Sequence, residues 1–233
     1  REYGLEGQVD RRNARLYAAF MDAQQATASK VQFDLLINAE LRVANAVFNT
    51  TTFTGADLTT AITNEWDDFT NATPIDDVIA ASKQVRANSG RYAKSLAISE
   101  SVFMNLIRCD QIKEAFEAGG AGDSSKLSNM TPEAVATCFG KGWEILVGEA
   151  VYDAANEGQD SVSTDVWSDE YAMVFRRAMT NNIEEPCLGR TFHWGGDGSL
   201  PLGIAEEYPE DAVRSNIVRF RHEVQEKIIY AEC

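Results

Sequence analysis

Thr73-Pro74-Ile75-Asp76-Asp77-Val78-Ile79-Ala80-Ala81-Ser82-Lys83-Gln84-Val85-Arg86-Ala87-Asn88-Ser89-Gly90 carries a start, a face and a stop for one helix. Thr73 is placed as the N-cap, where a side-chain hydroxyl accepts from an orphan N–H of the first turn. Pro74 takes the first helical position, where its missing N–H costs nothing. Asp76 and Asp77 set negative charge on the positive end of the helix dipole, and Lys83 and Arg86 sit towards the other end. Ile75, Val78, Ile79, Ser82 and Val85 recur at helical spacing and make one narrow apolar stripe. Gly90 is placed to adopt the left-handed conformation that stops a helix.

Upstream stands Trp66-Asp67-Asp68. Its indole is expected in the core, pinning the start of this helix, with a contact to another subunit as the alternative. Downstream, Ser95-Leu96-Ala97-Ile98-Ser99 reads as a short strand, and a helix from Glu100 is broken near Cys109-Asp110. Phe103, Leu106 and Ile107 make one helical face, and Ile112 with Phe116 makes the next. Gly119-Gly120-Ala121-Gly122-Asp123-Ser124-Ser125 reads as a flexible loop. It lacks the Gly-Lys-Ser/Thr ending of a phosphate cradle and follows a helix rather than a strand, so no phosphate site is expected there. Thr131-Pro132-Glu133 repeats the cap-plus-proline start and opens a helix to Phe139. Gly140 and Gly142 turn the chain into Trp143-Glu144-Ile145-Leu146-Val147, expected as a buried strand.

Towards the N-terminus, residues 1–9 hold Gly4 and Gly7 without any period and read as an extended arm or loop. Asp10 is placed to cap a helix from Arg11. Leu16, Tyr17, Phe20 and Met21 recur at helical spacing, continued by Val31, Leu35, Leu36, Val43 and Val47. Residues 10–49 therefore predict one long helix, or two broken near 23–28. Phe33, Leu36, Ile37, Glu40 and Leu41 fall along one side. Glu40 is thus an acid beside an apolar stripe, either paired and semi-buried or with its head in water at the stripe's edge. Thr50-Thr51-Thr52-Phe53-Thr54 is β-prone, Gly55 breaks it, and residues 58–62 suit a second short strand, so 49–62 is a small hairpin or a connector.

The C-terminal half is richer in strands. Residues 149–165 are polar, with Asp153, Glu157, Asp160 and Asp165 around Gly158. Their spacing lacks the alternating oxygen ligands and closing glutamate of a calcium loop, so a solvated loop is expected. Val166-Trp167 leads into a strand over 171–177. Residues 188–194 alternate like a strand and end at a turn over 195–198 that includes Asp197. Pro209-Glu210-Asp211 turns the chain again. Residues 217–221 and 224–231 read as paired strands joined near His222-Glu223, with one wet face. Helix, helix, strand, helices and then mostly strands argues for an α+β fold rather than a parallel βαβ repeat.

At 233 residues the chain makes one large domain or two small ones and can bury a core without staples. Its 44% hydrophobic and 24% charged content are ordinary, but a net charge of −15 is not. Many phosphate contacts need clustered Lys and Arg, so an acidic chain is not expected to grip nucleic acid. Cys109, Cys138, Cys187 and Cys233 form no Cys-x-x-Cys pair, and only His193 and His222 can join them, which is poor material for zinc. So few cysteines suggest a reducing, cytoplasmic origin. No run approaches the roughly 18 apolar residues of a membrane span, and no signal peptide is visible. The chain opens with Arg1 rather than Met, so further sequence is expected upstream. His193 and His222 are the candidates for acid–base work near neutral pH. Neither has a nucleophile in a recognisable turn beside it, and His193 is expected to be a strand histidine facing a neighbour or solvent. No catalytic, cofactor-binding or metal-binding residue is assigned, and no cofactor is expected.

The order Trp66, spacer, Asn71-Ala72-Thr73-Pro74-Ile75-Asp76-Asp77-Val78-Ile79, helix, Ser89-Gly90, strand ending in Ser99, then Val102-Phe103-Met104-Asn105-Leu106 and Ile112 resembles the major capsid proteins of tailed bacteriophages. The resemblance runs from about residue 10 to the C-terminus and rests on helix, turn and apolar positions rather than on a catalytic signature. It implies a two-lobed α+β capsid fold with a long spine helix, a peripheral lobe and an inserted axial lobe. On that analogy residues 1–91 are the N-terminal arm, helices and spine helix, 92–180 the axial lobe, and 181–233 strands returning to the peripheral lobe. Residues 49–62 are short for the family's extended loop over a neighbouring subunit, and no residue matches the covalent cross-linking pair of some members. The implied function is structural. Copies of the chain, as pentamers and hexamers, tile an icosahedral phage or prophage shell around DNA, with scaffold, protease or portal proteins as further partners and no membrane. DNA is met only by non-specific proximity. The chain is then made in the host cytoplasm and resides in the virion capsid. A cellular encapsulin shell uses the same fold and is the first alternative; a carboxylate- or metal-dependent hydrolase is an alternative of a different class.

Overall fold

The computed structural model describes residues 1–118, 129–156, 158–196, 198 and 200–233. The glycine-rich loop over 119–125, Glu157 and Asp197 lie outside the described residues. In chain order come β1 (Glu2–Asp10), α1 (Arg11–Tyr17), α2 (Ala23–Val47), α3 (Pro74–Ser89), β2 (Ser95–Ser99), α4 (Glu100–Leu106) and α5 (Asp110–Ala118). After them come α6 (Pro132–Ala136), a 3-10 turn (Thr137–Phe139), β3 (Glu144–Gly148), β4 (Val151–Asp153) and β5 (Ser163–Asp165). The chain closes with β6 (Met173–Phe175), β7 (Gly189–His193), β8 (Ile204–Glu210) and β9 (Ser215–Ile228). The fold is mixed α+β, as the order of periods predicts. Contacts divide it into two compact units, Arg1–Val43 with Thr191–Lys227, and Ala44–Arg190 with Ile228–Cys233.

In the first unit β9 is the organising strand. β1 runs antiparallel along it from Glu2↔Glu223 to Asp10↔Ser215, and β8 does the same from Ile204↔Arg221 to Glu210↔Ser215. The residues expected as an arm or loop are therefore a strand, because β9 supplies the ladder that a period-free segment cannot signal by itself. β9 is one strand of 14 residues rather than two joined near His222-Glu223. That pair contains no turn-former, and the edges of β9 are taken by β1, β7 and β8. Pro209 sits inside β8 and the turn follows it, with Arg214 at φ 53°. An edge position tolerates the missing N–H.

Asp10 caps α1 as expected, accepting from the N–H groups of Arg12 and Asn13. The break before α2 falls at 18–22, earlier than the expected 23–28. Asp22 sets it, its carboxylate accepting from the N–H groups of Gln24 and Gln25 at 3.0 and 3.1 Å. The buried side of α2 carries Val31 and Leu35, which pack with Val9, Val218 and Phe220. Phe33, placed on the apolar side by its period, is 61% exposed. Gly7 lets β1 come down on α2, since a Cβ there would lie 2.4 Å from the Thr27 methyl.

The second unit holds the larger core, with Trp66, Val78, Leu96, Ile98, Phe103, Leu106, Ile112 and Val135 among its members. α3 buries Val78 and Ser82 of the expected stripe, together with Pro74, while Ile75, Ile79 and Val85 are half-buried, and Ser82 satisfies its hydroxyl on the Ala93 carbonyl at 2.7 Å. Gly90 stops the helix at φ 72°. Thr73 is the N-cap residue, but its hydroxyl takes no cap hydrogen bond. Gln111 does that work from α5, its side-chain oxygen accepting from the Ile75 N–H at 2.9 Å. β2 is buried at every position, parallel to β3 and antiparallel to β6. The break at Cys109-Asp110 separates α4 from α5, and the Ser99 hydroxyl caps α4 from the end of β2.

Residues 49–62 are a connector of turns without strands. Asn49 holds its start by accepting from the N–H groups of Thr51 and Thr52. The segment expected as a solvated loop contains a hairpin instead, β4 against β5 from Val151↔Asp165 to Asp153↔Ser163. Of the strand over 143–147 only Ile145 is fully buried, and the strand over 171–177 shortens to β6.

Candidate functional site

Of the chemistry-bearing residues singled out in the sequence, His193 lies near enough to His222 for their charges to interact. His222 lies on β9 at 2% exposure. Its Nδ1 is 3.3 Å from the Pro201 carbonyl and its Nε2 is 3.4 Å from an Arg42 guanidinium nitrogen. Burial, with the Arg42 charge adding to it, pushes this imidazole below its ordinary 6.5, so it is neutral at pH 7. Arg42 of α2 donates to Glu226 at 2.9 Å and stacks 3.7 Å over the Tyr3 ring. Burial raises the Glu226 carboxyl, but the Arg42 hydrogen bond and charge outweigh it and the net shift is downward. Tyr3, Arg42, His222 and Glu226 thus tie β1, α2 and β9 together through mutually satisfied groups.

His193 is half-buried at the end of β7 and lines an open groove with Phe192, Trp194, Glu223 and Val224. Glu40 is half-buried on α2. Asp153 accepts from the N–H groups of Ala155 and Val162, both at 2.9 Å, and these bonds hold its carboxyl below the usual range. It shapes its hairpin. The four cysteines are free thiols. Cys109 donates to the Trp66 carbonyl at 3.4 Å, and burial pushes its pKa up to about 11, which makes it a poor nucleophile. Among the described residues no three His, Cys, Asp or Glu side chains stand close enough to share a metal ion. No helix among them is long and apolar enough to cross a membrane.

What the structure does expose is an apolar surface. α1 buries no residue. Leu16 and Phe20 are 63% and 87% exposed, and Tyr17 and Met21 are each 50% exposed. Four large apolar side chains within six positions leave bare what a soluble surface normally covers. Residues 11–21 also carry Arg11, Arg12 and Arg15 and no acid. Arg11 is engaged by Asp211 at 2.9 Å, whereas Arg12 and Arg15 are exposed and make no ion pair among the described residues. Periodicity put these apolar residues on a helix but did not single them out as a contact surface. The available signal was the coincidence of arginines with apolar residues and a complete lack of acids.

No protein-family model matches the sequence, and neither does any curated protein. Solved structures do match. A phage-related protein from Bordetella bronchiseptica RB50 aligns with a TM-score of 0.72 at 17% identity, over 98% of this chain and 69% of that one. The fold is one found in phage-related proteins. A chain from Mycobacterium phage Che8 aligns with a TM-score of 0.56 at 13% identity, over 100% of this chain and 68% of that one.

Proposed function

We propose that this chain is a structural subunit of an icosahedral phage or prophage capsid, acting by self-assembly and without catalysis. The observation that carries the reading is fold likeness along essentially the whole chain to a phage-related protein, joined by likeness to a chain of a named phage. The same likeness favours a phage shell over a cellular encapsulin compartment. On this reading α3 is the spine helix, residues 92–180 belong to the axial lobe, and the chains meet as pentamers and hexamers. Scaffold, protease or portal proteins are the further partners, and the virion capsid is the location.

The bare segment of α1 and the turn after it suits such a role. Its occupant on this reading is a second copy of the chain. The segment is basic within a chain of net charge −15, so the rest of a like copy offers the complementary charge. Shell assembly sums many modest contacts repeated by symmetry, and an apolar patch of this kind suits the buried core of one.

The test is particle size by light scattering followed by negative-stain imaging, on the protein expressed alone and with the products of neighbouring genes. Uniform closed shells tens of nanometres across are the expected result. A chain that stays monomeric or dimeric in both settings overturns the proposal and returns attention to hydrolysis assays.

A further inference from the structure

The net charge hides a local reversal of sign in the second unit. Residues 83–94, Lys83-Gln84-Val85-Arg86-Ala87-Asn88-Ser89-Gly90-Arg91-Tyr92-Ala93-Lys94, contain four cations and no acid. They form the last turns of α3 and the link into β2. Two further cations join them through the sheet. β2 and β3 are parallel and both begin at this edge, whereas antiparallel β6 ends at it, with Ser95 facing Glu144 on one side and Phe175 on the other. Lys94 precedes β2, Lys141 precedes β3, and Arg177 follows β6. The Lys94 ammonium donates to the Lys141 carbonyl at 2.8 Å, which brings those two positions together. At the helix end the Ser89 hydroxyl accepts from the Arg91 N–H at 3.3 Å, and the Arg86 guanidinium lies 4.6 Å from the centre of the Tyr92 ring.

All six cationic residues and Tyr92 are exposed. Acids beside them are few. Glu144 is taken by Arg177 at 2.6 Å, and Asp57 accepts from Gln84. Glu232 adjoins Cys233, whose thiol meets the Ser89 hydroxyl. Among the described residues Lys83, Arg91 and Lys141 have no ion-pair partner. Complementing the helix dipole accounts for Arg86 but not for Lys83, which lies before the last turn, nor for Arg91, Lys94 and Lys141, which lie beyond the helix.

We propose that this sheet edge is a binding site for the phosphodiester backbone of duplex DNA. The exposed cations fall on successive elements at one sheet edge, an arrangement that suits a repeating polyanion and carries no base readout. One copy binds weakly, as non-specific phosphate contacts do, and repetition over a shell multiplies the effect. The assignment takes its setting from the capsid reading, for it names the face that meets packaged DNA. It differs from the expectation that an acidic chain touches DNA by proximity alone, and the experiment below decides between them.

The test uses unassembled full chain, so its failure and a failure to form shells are separate results. Anisotropy of a labelled duplex of about 20 base pairs is followed from about 50 to about 200 mM salt, with an expected slope of log affinity on log salt near −4 for four or five engaged cations. Arg91→Glu with Lys94→Glu should weaken binding at least tenfold, and Lys83→Glu with Lys141→Glu, on separate elements, should do likewise. Lys30→Glu with Arg214→Glu, exposed residues outside both surfaces, changes net charge equally and should have a much smaller effect. The proposal is overturned by no binding at the lowest salt, or by an equal loss in that control. It is also overturned if the patch variants lose self-association and keep DNA binding, which would make the ligand an acidic face of another copy.

Discussion

The indole N–H of Trp66 donates to the Asp77 carboxylate at 3.1 Å, joining the approach to α3 to its first turn. Trp66 is 8% exposed, and its own carbonyl accepts from the Cys109 thiol. The residue therefore sets where α3 starts and where the α4–α5 break docks. Trp66→Phe keeps most of the packing and loses the bond to a charged acceptor, an expected cost of about 1–2 kcal/mol. Trp66→Ala adds a cavity and should cost about 3–5 kcal/mol. Urea denaturation measures both, and a Phe variant as stable as the parent would remove the bond from this account.

Arg42 and Glu226 make a second such tie, with side chains 19% and 11% exposed. Removing one partner leaves the other charge largely desolvated, so Arg42→Met or Glu226→Gln should each cost about 2–4 kcal/mol. The double variant should cost clearly less than the sum, which a double-mutant cycle reads directly. Strict additivity would mean that the pair is not coupled.

His222 gives the same network a pH dependence. Its folded pKa lies below the ordinary 6.5 because burial disfavours the cation, so the unfolded chain binds the proton first as pH falls. Its contribution to stability is therefore full above about 6.5 and declines as pH drops below that value towards the folded pKa. Thermal unfolding between pH 7.5 and pH 5, both about ordinary buffer values, should show this slope, and His222→Phe should flatten it. An unchanged slope in the variant would assign the dependence to other groups.

Glu185 has its own titration. Its carboxylate accepts from the Thr180 hydroxyl and from the N–H groups of Met179 and Thr180, with Arg176 alongside, and its pKa falls from 4.5 to about 2. Its contribution should be full above 4.5 and vanish as pH falls through about 2. Carboxyl carbon NMR should give a midpoint near that lower value. Glu185→Gln should loosen the turn over 179–185, seen as faster amide exchange at Met179 and Thr180. A midpoint in the ordinary range would show that the clamp is not closed in solution.

The exposed residues of α1 and of the turn after it separate folding from assembly. Leu16→Ser with Phe20→Ser removes side chains that contact little within the chain, so stability should change by less than about 0.5 kcal/mol. On the capsid reading the same variant should fail to form particles or form them far more slowly, measured by light scattering against time. Normal assembly would move the subunit contact elsewhere.

Local chemistry settled much of this protein in advance. The α3 stop at Gly90, the Asp10 cap, the strand over 95–99 and the break at Cys109-Asp110 are written in neighbouring residues, because caps, prolines and helical periods act over one or two turns. The α+β class follows from the same signals. Tertiary structure decided what depends on partners distant in sequence. β1 became a strand only because β9 lies beside it, and β9 stayed unbroken because three strands take its edges. Gln111, not Thr73, serves the start of α3, since a side chain 36 residues away reaches the Ile75 N–H first. The internal bonds of His222, Glu226 and Cys109 likewise come from partners distant in sequence. The two surfaces proposed as contact sites were illegible for a physical reason. Exposure at α1 and the meeting of Lys94, Lys141 and Arg177 at one sheet edge exist only after the chain has folded, when strand order brings residues from distant segments to the same rim.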